Sequence, residues 1–421
     1  MTPTEVLKAL GEPGSSDNIS LDWDRSERGN SQPGFLVQRQ IIESLEWCGF
    51  THAHENILIE TAREITRSPA LCRLARHCKW CLFDNPKPYE LSGWPTLDIS
   101  LGKRAGHFYL LVALGMVPHV REYHAKLGIP EEITRGTCGQ IRKFCDIYQQ
   151  DQSGFAGLPF RRVSWLRHYV REPYFRVGRL EYWLKPNPVP PLVYRSTKSG
   201  QVIALAWEGA KLTPEGVICS DESNDEWWQS TYSETDQEVT GYPISPAAKV
   251  LRERIRLPRS EWQPVLAPGS PVLQVHIPSG DPLTPAAALA SKTDAVAFFE
   301  RHFPDVTPCA FVSTSWLFSD LLESMLSATS NVVRYLQELY LFPVGSGKHS
   351  GLSFIFPHDL PFNPETASRK TALQRAILDH LTDGHRWRIG GMFMMLDDLK
   401  HYGSRHYRST WQLSDFSRLG H

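Results

Sequence analysis

One histidine and the short polar segment that follows it carry the clearest chemical signal in the chain. His276 lies in an apolar, β-rich run that begins at Val272 and that Pro278 ends. Histidine titrates near neutral pH, so His276 is a candidate general base or a group that hydrogen-bonds substrate. A histidine that is simply satisfied within a sheet is the alternative interpretation.

The segment after His276 has the composition of a turn that opens a helix. Gly280 can take a positive φ, Thr284 suits the N-cap, and Pro285 suits the first helical position. A helix that starts just beyond a strand presents free N–H groups and a positive dipole end, which suit a phosphate or pyrophosphate. An ordinary strand-to-helix crossover with nothing bound is the alternative. The candidate anion-binding residues are Ser279, Gly280, Leu283 and Thr284.

Arginines are concentrated before and within the first predicted strand of the second half. Six arginines fall within residues 161–179, among aromatic side chains. Arginine forks suit phosphate groups, so Arg167 and Arg179 are candidate phosphate contacts. A helix face whose arginines pair with acidic residues elsewhere is the favoured alternative.

Glu181 lies in the predicted strand GRLEYWL (178–184) and is a second candidate catalytic group. A desolvated carboxylate beside a cleft can deprotonate an amine nucleophile. Alternation places Arg179 and Trp183 on the same face of the strand as Glu181. An Arg179–Glu181 ion pair at the surface is therefore the favoured interpretation.

Composition and charge limit the classes of function. The chain has 421 residues, 41% hydrophobic content and a formal net charge of −1, which fits a globular protein and argues against nucleic acid or an anionic membrane as partner. The longest apolar stretch, 108–117, is too short to span a bilayer and predicts a buried helix. No signal peptide is visible, and eight cysteines are too sparse for a disulfide scaffold. We therefore expect a cytoplasmic protein with reduced thiols.

A helical stretch rich in cysteine gives a weak hint of a metal site. Cys78 and Cys81 form one C-x-x-C, and they share one helical pattern with Cys72 and His77. A second such pair is missing, so small buried thiols are the favoured interpretation and no metal is predicted.

The pattern of the chain changes twice. Residues 1–34 form a polar N-terminal segment, residues 35–160 space apolar residues as helices do, and residues 161–421 mix strand and helix signals. The expected fold class is α+β or mixed α/β, with a helical N-terminal domain followed by a mixed sheet flanked by helices. The C-terminal half of the second domain starts at about residue 270. Its predicted strands include 309–316, RYLQELYLFPV (334–344) and SGLSFIF (350–356).

Several stretches resemble a small bacterial family of acyltransferase-domain proteins, which join a helical N-acyltransferase N-terminal domain to a GNAT-like C-terminal domain. In the GNAT fold, the turn after the central strand binds the pyrophosphate of acyl-CoA. The usual signature has two glycines, whereas here Asp281 follows Gly280. The stretches are WLRHYVREPYFRVGRLEYWL (165–184), LPRSEWQPVLAPGSPVLQVHIPSGDPL (257–283), FFERHFP (298–304), FVSTSWLFSDLL (311–322) and SNVVRYLQELYLFPV (330–344).

The resemblance implies an enzyme that moves an acyl group from a thioester donor to an amine acceptor by direct attack. The donor would be acyl-CoA or the phosphopantetheine arm of an acyl-carrier protein. Ser315 would be a catalytic residue, and Trp316 would line the acyl or amine pocket. Asn331 and Arg334, at the start of the next strand, would hold substrate. A non-catalytic GNAT-like module that binds a ligand or a protein is the alternative, which Asp281 favours.

Overall fold

The computed structural model describes residues 1–12, 17–27, 33–85, 93–152, 154–219, 226–356, 362–412 and 417–418. The chain forms two compact units, Met1–Arg176 and Val177–His421. Of the polar segment expected over 1–34, residues 13–16 and 28–32 lie outside the described part of the chain.

The first unit is helical, as the spacing of its apolar residues predicts. Its helices are α1 Pro3–Ala9, α2 Gln38–Trp47, α3 Glu55–Arg67, α4 Pro69–Lys79, α5 Asp98–Leu101, α6 Ala105–Leu114, α7 Val117–Lys126, α8 Glu131–Cys138, α9 Gln140–Asp151, α10 Phe160–Leu166 and α11 His168–Arg171.

Helix α6 forms the centre of this unit's core. Every residue of α6 is buried, which confirms the buried helix that the apolar stretch predicted. Helices around it are amphipathic, as in α4, where Ser68 caps the N-terminus and Pro69 takes the first position. None of the helices in the described ranges is both long and apolar enough to cross a membrane.

The second unit combines three larger sheets with helices. Its strands are β1 Tyr174–Val177, which spans the boundary between the units, β2 Leu180–Pro186, β3 Leu192–Ser196, β4 Val202–Leu205, β5 Lys211–Leu212, β6 Trp228–Gln229, β7 Ser233–Glu234, β8 Glu238–Gly241, β9 Pro243–Ser245, β10 Lys249–Val250, β11 Ile255–Pro258, β12 Trp262–Leu266, β13 Pro271–His276, β14 Ala310–Ser315, β15 Tyr340–Pro343, β16 Gly390–Met395 and β17 Ser417–Arg418. Its helices are α12 Pro285–His302, α13 Leu322–Met325, α14 Asn331–Leu336, α15 Leu352–Ile355, α16 Ala372–Thr382 and α17 His406–Thr410.

The main sheet has the strand order β1-β2-β13-β14-β16-β15. Strands β13 and β14 pair in parallel, whereas β2–β13, β14–β16 and β15–β16 are antiparallel. Helix α12 makes the crossover from β13 to β14 and packs on one face, where the Tyr182 hydroxyl lies 2.9 Å from Ser291 Oγ. Smaller sheets have the orders β10-β9-β4-β3-β12 and β17-β11-β8-β7. The expected fold class is confirmed.

Two predicted strands are wrong in detail. Residues 334–344 begin inside helix α14, and only Tyr340–Pro343 is a strand. Ser330 starts the helix because its side chain accepts a hydrogen bond from the amide of Val333. Residues 350–356 contain helix α15 rather than a strand, because Gly351 takes φ 75°, a left-handed conformation that interrupts an extended chain.

Candidate active site

The turn between β13 and α12 has the form that the sequence predicts. Gly280 takes φ 117°, in the region that glycine tolerates best. Thr284 is the N-cap of α12, and its side chain accepts a hydrogen bond of 3.2 Å from the amide of Ala287. Leu283 is buried and anchors the turn, whereas Ser279, Gly280 and Asp281 are exposed.

Backbone N–H groups of this turn are open for an anion. The amides of Ser279, Gly280 and Asp281 donate to no group among the residues that the structure describes. Thr284 differs, because its amide donates to the Pro282 carbonyl at 3.0 Å. Of the first turn of α12, the exposed Ala286 can add its amide, since Pro285 has no N–H and the amides of Ala287 and Ala288 donate to Thr284. The turn therefore presents N–H groups on an exposed surface, which is suitable for a phosphate.

Arg179 fixes the base of the turn. Its Nη1 donates a hydrogen bond of 2.8 Å to the carbonyl of Pro278, directly before Ser279. Arg167 lies in the first unit, where it ends helix α10. The role of either arginine in holding a phosphate stays a prediction.

Strands β13 and β14 separate at the same end of the sheet. Their parallel register stops at the pair Gln274–Val312, although β13 continues to His276 and β14 to Ser315. On the outer sides the pairing is complete: His276 still pairs with Glu181 of β2, and Ser315 still pairs with Gly390 of β16. The two central strands therefore stop pairing before they end, on the side of the turn, and we call the unpaired ends of β13 and β14 the opening.

His276 and Glu181 meet across the β2–β13 ladder at this opening. His276 Nδ1 lies 2.9 Å from Glu181 Oε2. A carboxylate can only accept, so Nδ1 is the donor of this hydrogen bond, and in the neutral ring Nε2 is then the basic nitrogen. The His276 side chain is 41% exposed, whereas Glu181 is 0% exposed. The expectation that Glu181 lies at the surface is therefore wrong.

A buried carboxylate beside an exposed imidazole is a recurrent acid–base arrangement. The carboxylate fixes the tautomer and stabilises the ring once it has taken up a proton. The site can therefore remove a proton from a substrate that reaches His276 Nε2. Both residues were candidates from sequence, but their pairing was not predicted.

Ser315 and Trp316 are not brought beside His276. Alternation from the Gln274–Val312 pair places Ser315 on the opposite face from His276. Ser315 Oγ accepts a hydrogen bond of 3.3 Å from the amide of Leu317 and so caps the next helical turn, Trp316–Phe318. Their proposed roles stay predictions that this geometry does not favour.

Asn331 and Arg334 lie on helix α14 and not at the start of a strand. The strand position from which their substrate-binding role was inferred is therefore wrong. Their role itself stays a prediction.

Sequence reasoning missed two residues on the face of the sheet that carries His276. Thr314 lies beyond the last β13–β14 pair and is exposed, although its strand is central in the sheet. The side-chain oxygen of Gln274 is buried, with no hydrogen-bond partner in the described ranges. Alternation from His276 marks Gln274, but only the register of β14 marks Thr314.

Lys292 is a third residue that the sequence did not single out. It lies on α12, is 0% exposed, and places Nζ 2.9 Å from the Tyr335 hydroxyl. Burial lowers the pKa of Lys292 to about 7. Because every atom is buried, Lys292 contributes to the interior of the second unit rather than to the open end of the sheet.

Metal ligands do not converge in the described ranges. No group of three or more His, Cys, Asp or Glu side chains there could hold a metal ion. Of the cysteine-rich stretch, Cys78 and Cys81 are buried thiols, and Cys81 Sγ lies 3.5 Å from His77 Nε2.

Two family models match the chain. The N-acyltransferase N-terminal domain model matches residues 39–171, and the GNAT-like C-terminal domain model matches residues 174–394. A search of curated proteins gives no significant match.

Solved acyltransferase structures share the fold. An acyltransferase mutant in complex with octanoyl-CoA has a TM-score of 0.63 and 20% identity, covering 94% of this chain and 99% of that one. An acyltransferase in complex with decanoyl-CoA and teicoplanin has a TM-score of 0.63 and 21% identity, covering 94% and 100%. An acyltransferase in complex with CoA and 10C-teicoplanin has a TM-score of 0.63 and 20% identity, with the same coverage.

The matched ranges confirm both the family and the enzyme class that the sequence indicated. The GNAT-like model alone covers more than half of the 421 residues, and the second model covers most of the helical part before it. This chain therefore belongs to the acyltransferase family that joins an N-acyltransferase N-terminal domain to a GNAT-like C-terminal domain.

Proposed function

We propose that this acyltransferase moves an acyl group from acyl-CoA to an amine, at the point where β13 and β14 separate. The observation that carries the proposal is the His276–Glu181 pair at 2.9 Å, with a buried carboxylate and an exposed ring. Octanoyl-CoA, decanoyl-CoA and CoA in the similar structures support the choice of donor.

The donor's phosphates would bind at the turn after β13. The open amides of Ser279, Gly280 and Asp281 supply hydrogen-bond donors, and the N-terminus of α12 supplies the favourable end of a dipole. Asp281 is exposed, so its carboxylate can extend into solvent away from a bound anion. Arg179 would act by holding the turn through Pro278.

The reaction would be a direct transfer. The amine nitrogen attacks the thioester carbonyl carbon, a C–N bond forms, and the C–S bond breaks to release the thiol of CoA. His276 Nε2 takes the proton that the amine loses, and Glu181 stabilises the resulting imidazolium. The same proton can then pass to the departing sulfur, so the histidine returns to its starting form.

The acceptor would be an amine on a small molecule. Teicoplanin and 10C-teicoplanin in two of the similar structures support a small molecule, and the match to an N-acyltransferase domain supports an amine. An acyl-carrier protein stays an alternative donor, which the following assay includes.

Donor binding is the first test. Thermal melting with octanoyl-CoA, decanoyl-CoA, free CoA and octanoyl-carrier protein should show stabilisation by the CoA compounds. A ligand at 100 times its Kd adds about 2.7 kcal/mol to the free energy of unfolding. No shift with any of these donors would contradict the proposal.

Turnover is the second test. Thiol release from octanoyl-CoA should depend on an added primary amine, chosen from amino sugars, amino acids and teicoplanin. His276→Ala should abolish most of it, whereas the matched control His385→Ala, an exposed histidine of the same unit, should leave it unchanged. Equal loss in both variants, or thiol release that no amine accelerates, would contradict amine acylation.

A further inference from the structure

Thr314 is an exposed polar residue in a strand that lies inside the main sheet. Strand β14 has β13 on one side and β16 on the other, and Thr314 is nevertheless exposed. Its hydroxyl makes no hydrogen bond to another residue in the described ranges. The Thr314 side chain is therefore available to a molecule that reaches this end of the sheet.

Thr314 lies level with His276, on the other side of the opening. The last parallel pair is Gln274–Val312, so His276 and Thr314 each follow two residues further along their strands. Because side chains alternate along a strand, both residues turn to the same face of the sheet. Paired strands lie about 4.8 Å apart, and at the opening the two strands are no longer paired. One small group can therefore contact both side chains.

On the β16 side, Thr314 pairs with a residue that has no side chain. Its partner there is Gly391, and the ring of Phe342 occupies the place that a Cβ at Gly391 would take. This pair therefore contributes no side chain that could cover the Thr314 hydroxyl.

The proposed reaction leaves one N–H group of the acceptor without an assigned partner. A primary amine that attacks the thioester directs its lone pair at the carbonyl carbon and one N–H at His276 Nε2. Its second N–H also loses water when the amine enters the site, which is unfavourable unless another acceptor replaces the water. A hydroxyl oxygen level with the imidazole can accept that hydrogen bond.

We infer that Thr314 determines specificity for the acceptor, and that its hydroxyl oxygen accepts a hydrogen bond from the second N–H of a primary amine. The inference rests on the proposed function and narrows its acceptor to primary amines. A secondary amine has a single N–H, which His276 takes, so it has none left for Thr314.

The test compares a primary amine with its own N-methyl derivative, both with octanoyl-CoA. The amine is the amino sugar, amino acid or glycopeptide that gives the fastest thiol release in the turnover test. Thr314→Val keeps the shape of the side chain and removes the hydroxyl. It should lower kcat/KM for the primary amine about tenfold, the effect of one hydrogen bond, and leave the N-methyl amine unchanged. The steric effect of the methyl group is the same in both enzymes and cancels.

Matched variants separate the hydrogen bond from a merely structural effect. Thr314→Ser keeps the hydroxyl and should keep the wild-type ratio of the two amines. Thr231→Val, at an exposed threonine of the same unit, should change neither rate. Should the wild-type enzyme not turn over the N-methyl amine at all, the primary amine alone decides: Thr314→Ser should be about tenfold faster than Thr314→Val.

Two results would overturn the inference while the proposed function stands. One is an unchanged ratio of the two amines in Thr314→Val, whether both rates fall equally or neither falls. The other is a Thr314→Ser enzyme that is as slow with the primary amine as Thr314→Val. Thiol release that no amine accelerates would instead overturn the proposed function itself.

Discussion

The buried histidines of the first unit and His276 of the second unit differ in the group that each ring contacts. His276 has a carboxylate at 2.9 Å and an exposed ring. The three buried rings have hydroxyl partners at Nδ1: His77 with Ser26 at 2.8 Å, His107 with Thr61 at 3.3 Å, and His124 with Thr134 at 2.9 Å.

This difference separates the buried histidines of the first unit from the proposed general base. Burial lowers the pKa of His77 to about 3, and those of His107 and His124 to about 4, because a charged ring loses its water and a hydroxyl replaces it poorly. These rings stay neutral at pH 7. A ring that must accept a proton during turnover needs both an open side and a negative partner, and His276 has both.

The largest expected effect comes from removing the ring of the proposed general base. His276→Ala should lower kcat per folded molecule about 10²–10⁴-fold, the usual contribution of a general base, and should also lower the melting temperature, because the buried Glu181 carboxylate loses this partner. His124→Ala should lower the melting temperature and retain kcat per folded molecule. If both variants lost activity in proportion to their stability, the distinction would be wrong.

Lys292 is a buried base of the second unit, and its lowered pKa can be compared with those of the buried histidines in the first unit. Its pKa is lowered to about 7 from 10.5, so the unfolded chain holds the proton more tightly between these values. Lys292→Met should therefore raise the free energy of unfolding by up to about 5 kcal/mol at pH 7 or below. The gain should shrink as pH rises towards 10.5. Denaturant unfolding at pH 7 and pH 10 measures it.

The exposed Lys348 provides the control for that experiment. Lys348→Met should change the free energy of unfolding little at either pH. A Lys292→Met protein that is less stable than wild type at pH 7 would show that the Tyr335 contact outweighs the cost of burial.

Acid should act on the first unit through its buried histidines. The pKa of His124 is about 4 in the fold and 6.5 ordinarily, so the unfolded state takes up more protons between these values. Stability should fall as pH falls through this window, by about 3 kcal/mol for His124 alone. His124→Gln should remove that part of the slope in denaturant titrations at pH 7 and pH 4.5. An unchanged slope would contradict the assignment.

The smallest expected effect comes from the Thr284 N-cap, which shapes the turn but takes no part in the proposed proton transfer at His276. Thr284→Ala removes the hydrogen bond to Ala287 and should cost about 1 kcal/mol in unfolding free energy. It should raise KM for acyl-CoA more than it lowers kcat, because the proton transfer at His276 is untouched. A fall in kcat alone would show that the cap has a different role.

Local signals predicted the turn well, and long-range pairing accounts for what was missed. Gly280, Thr284 and Pro285 act within a few residues, so composition was enough. The His276–Glu181 contact joins residues 95 positions apart and depends on the register of two antiparallel strands, which no local pattern reveals.

The error at residues 334–344 has a local cause. The run of apolar and aromatic residues fits either a strand or a buried helix. Ser330 was the available signal, since a serine before such a run is a typical N-cap. The Gln274–Val312 pair, where the strands separate, had no counterpart in the sequence.

The most direct test of the account is chemical rescue of the missing imidazole. His276→Gly should be nearly inactive with octanoyl-CoA and an amine, and added imidazole should restore turnover in proportion to its concentration. Replacing Glu181 by Gln in the same protein should weaken the rescue by about tenfold, because the charged partner is lost. Full activity of His276→Gly without imidazole would contradict the account. So would a rescue that is indifferent to Glu181.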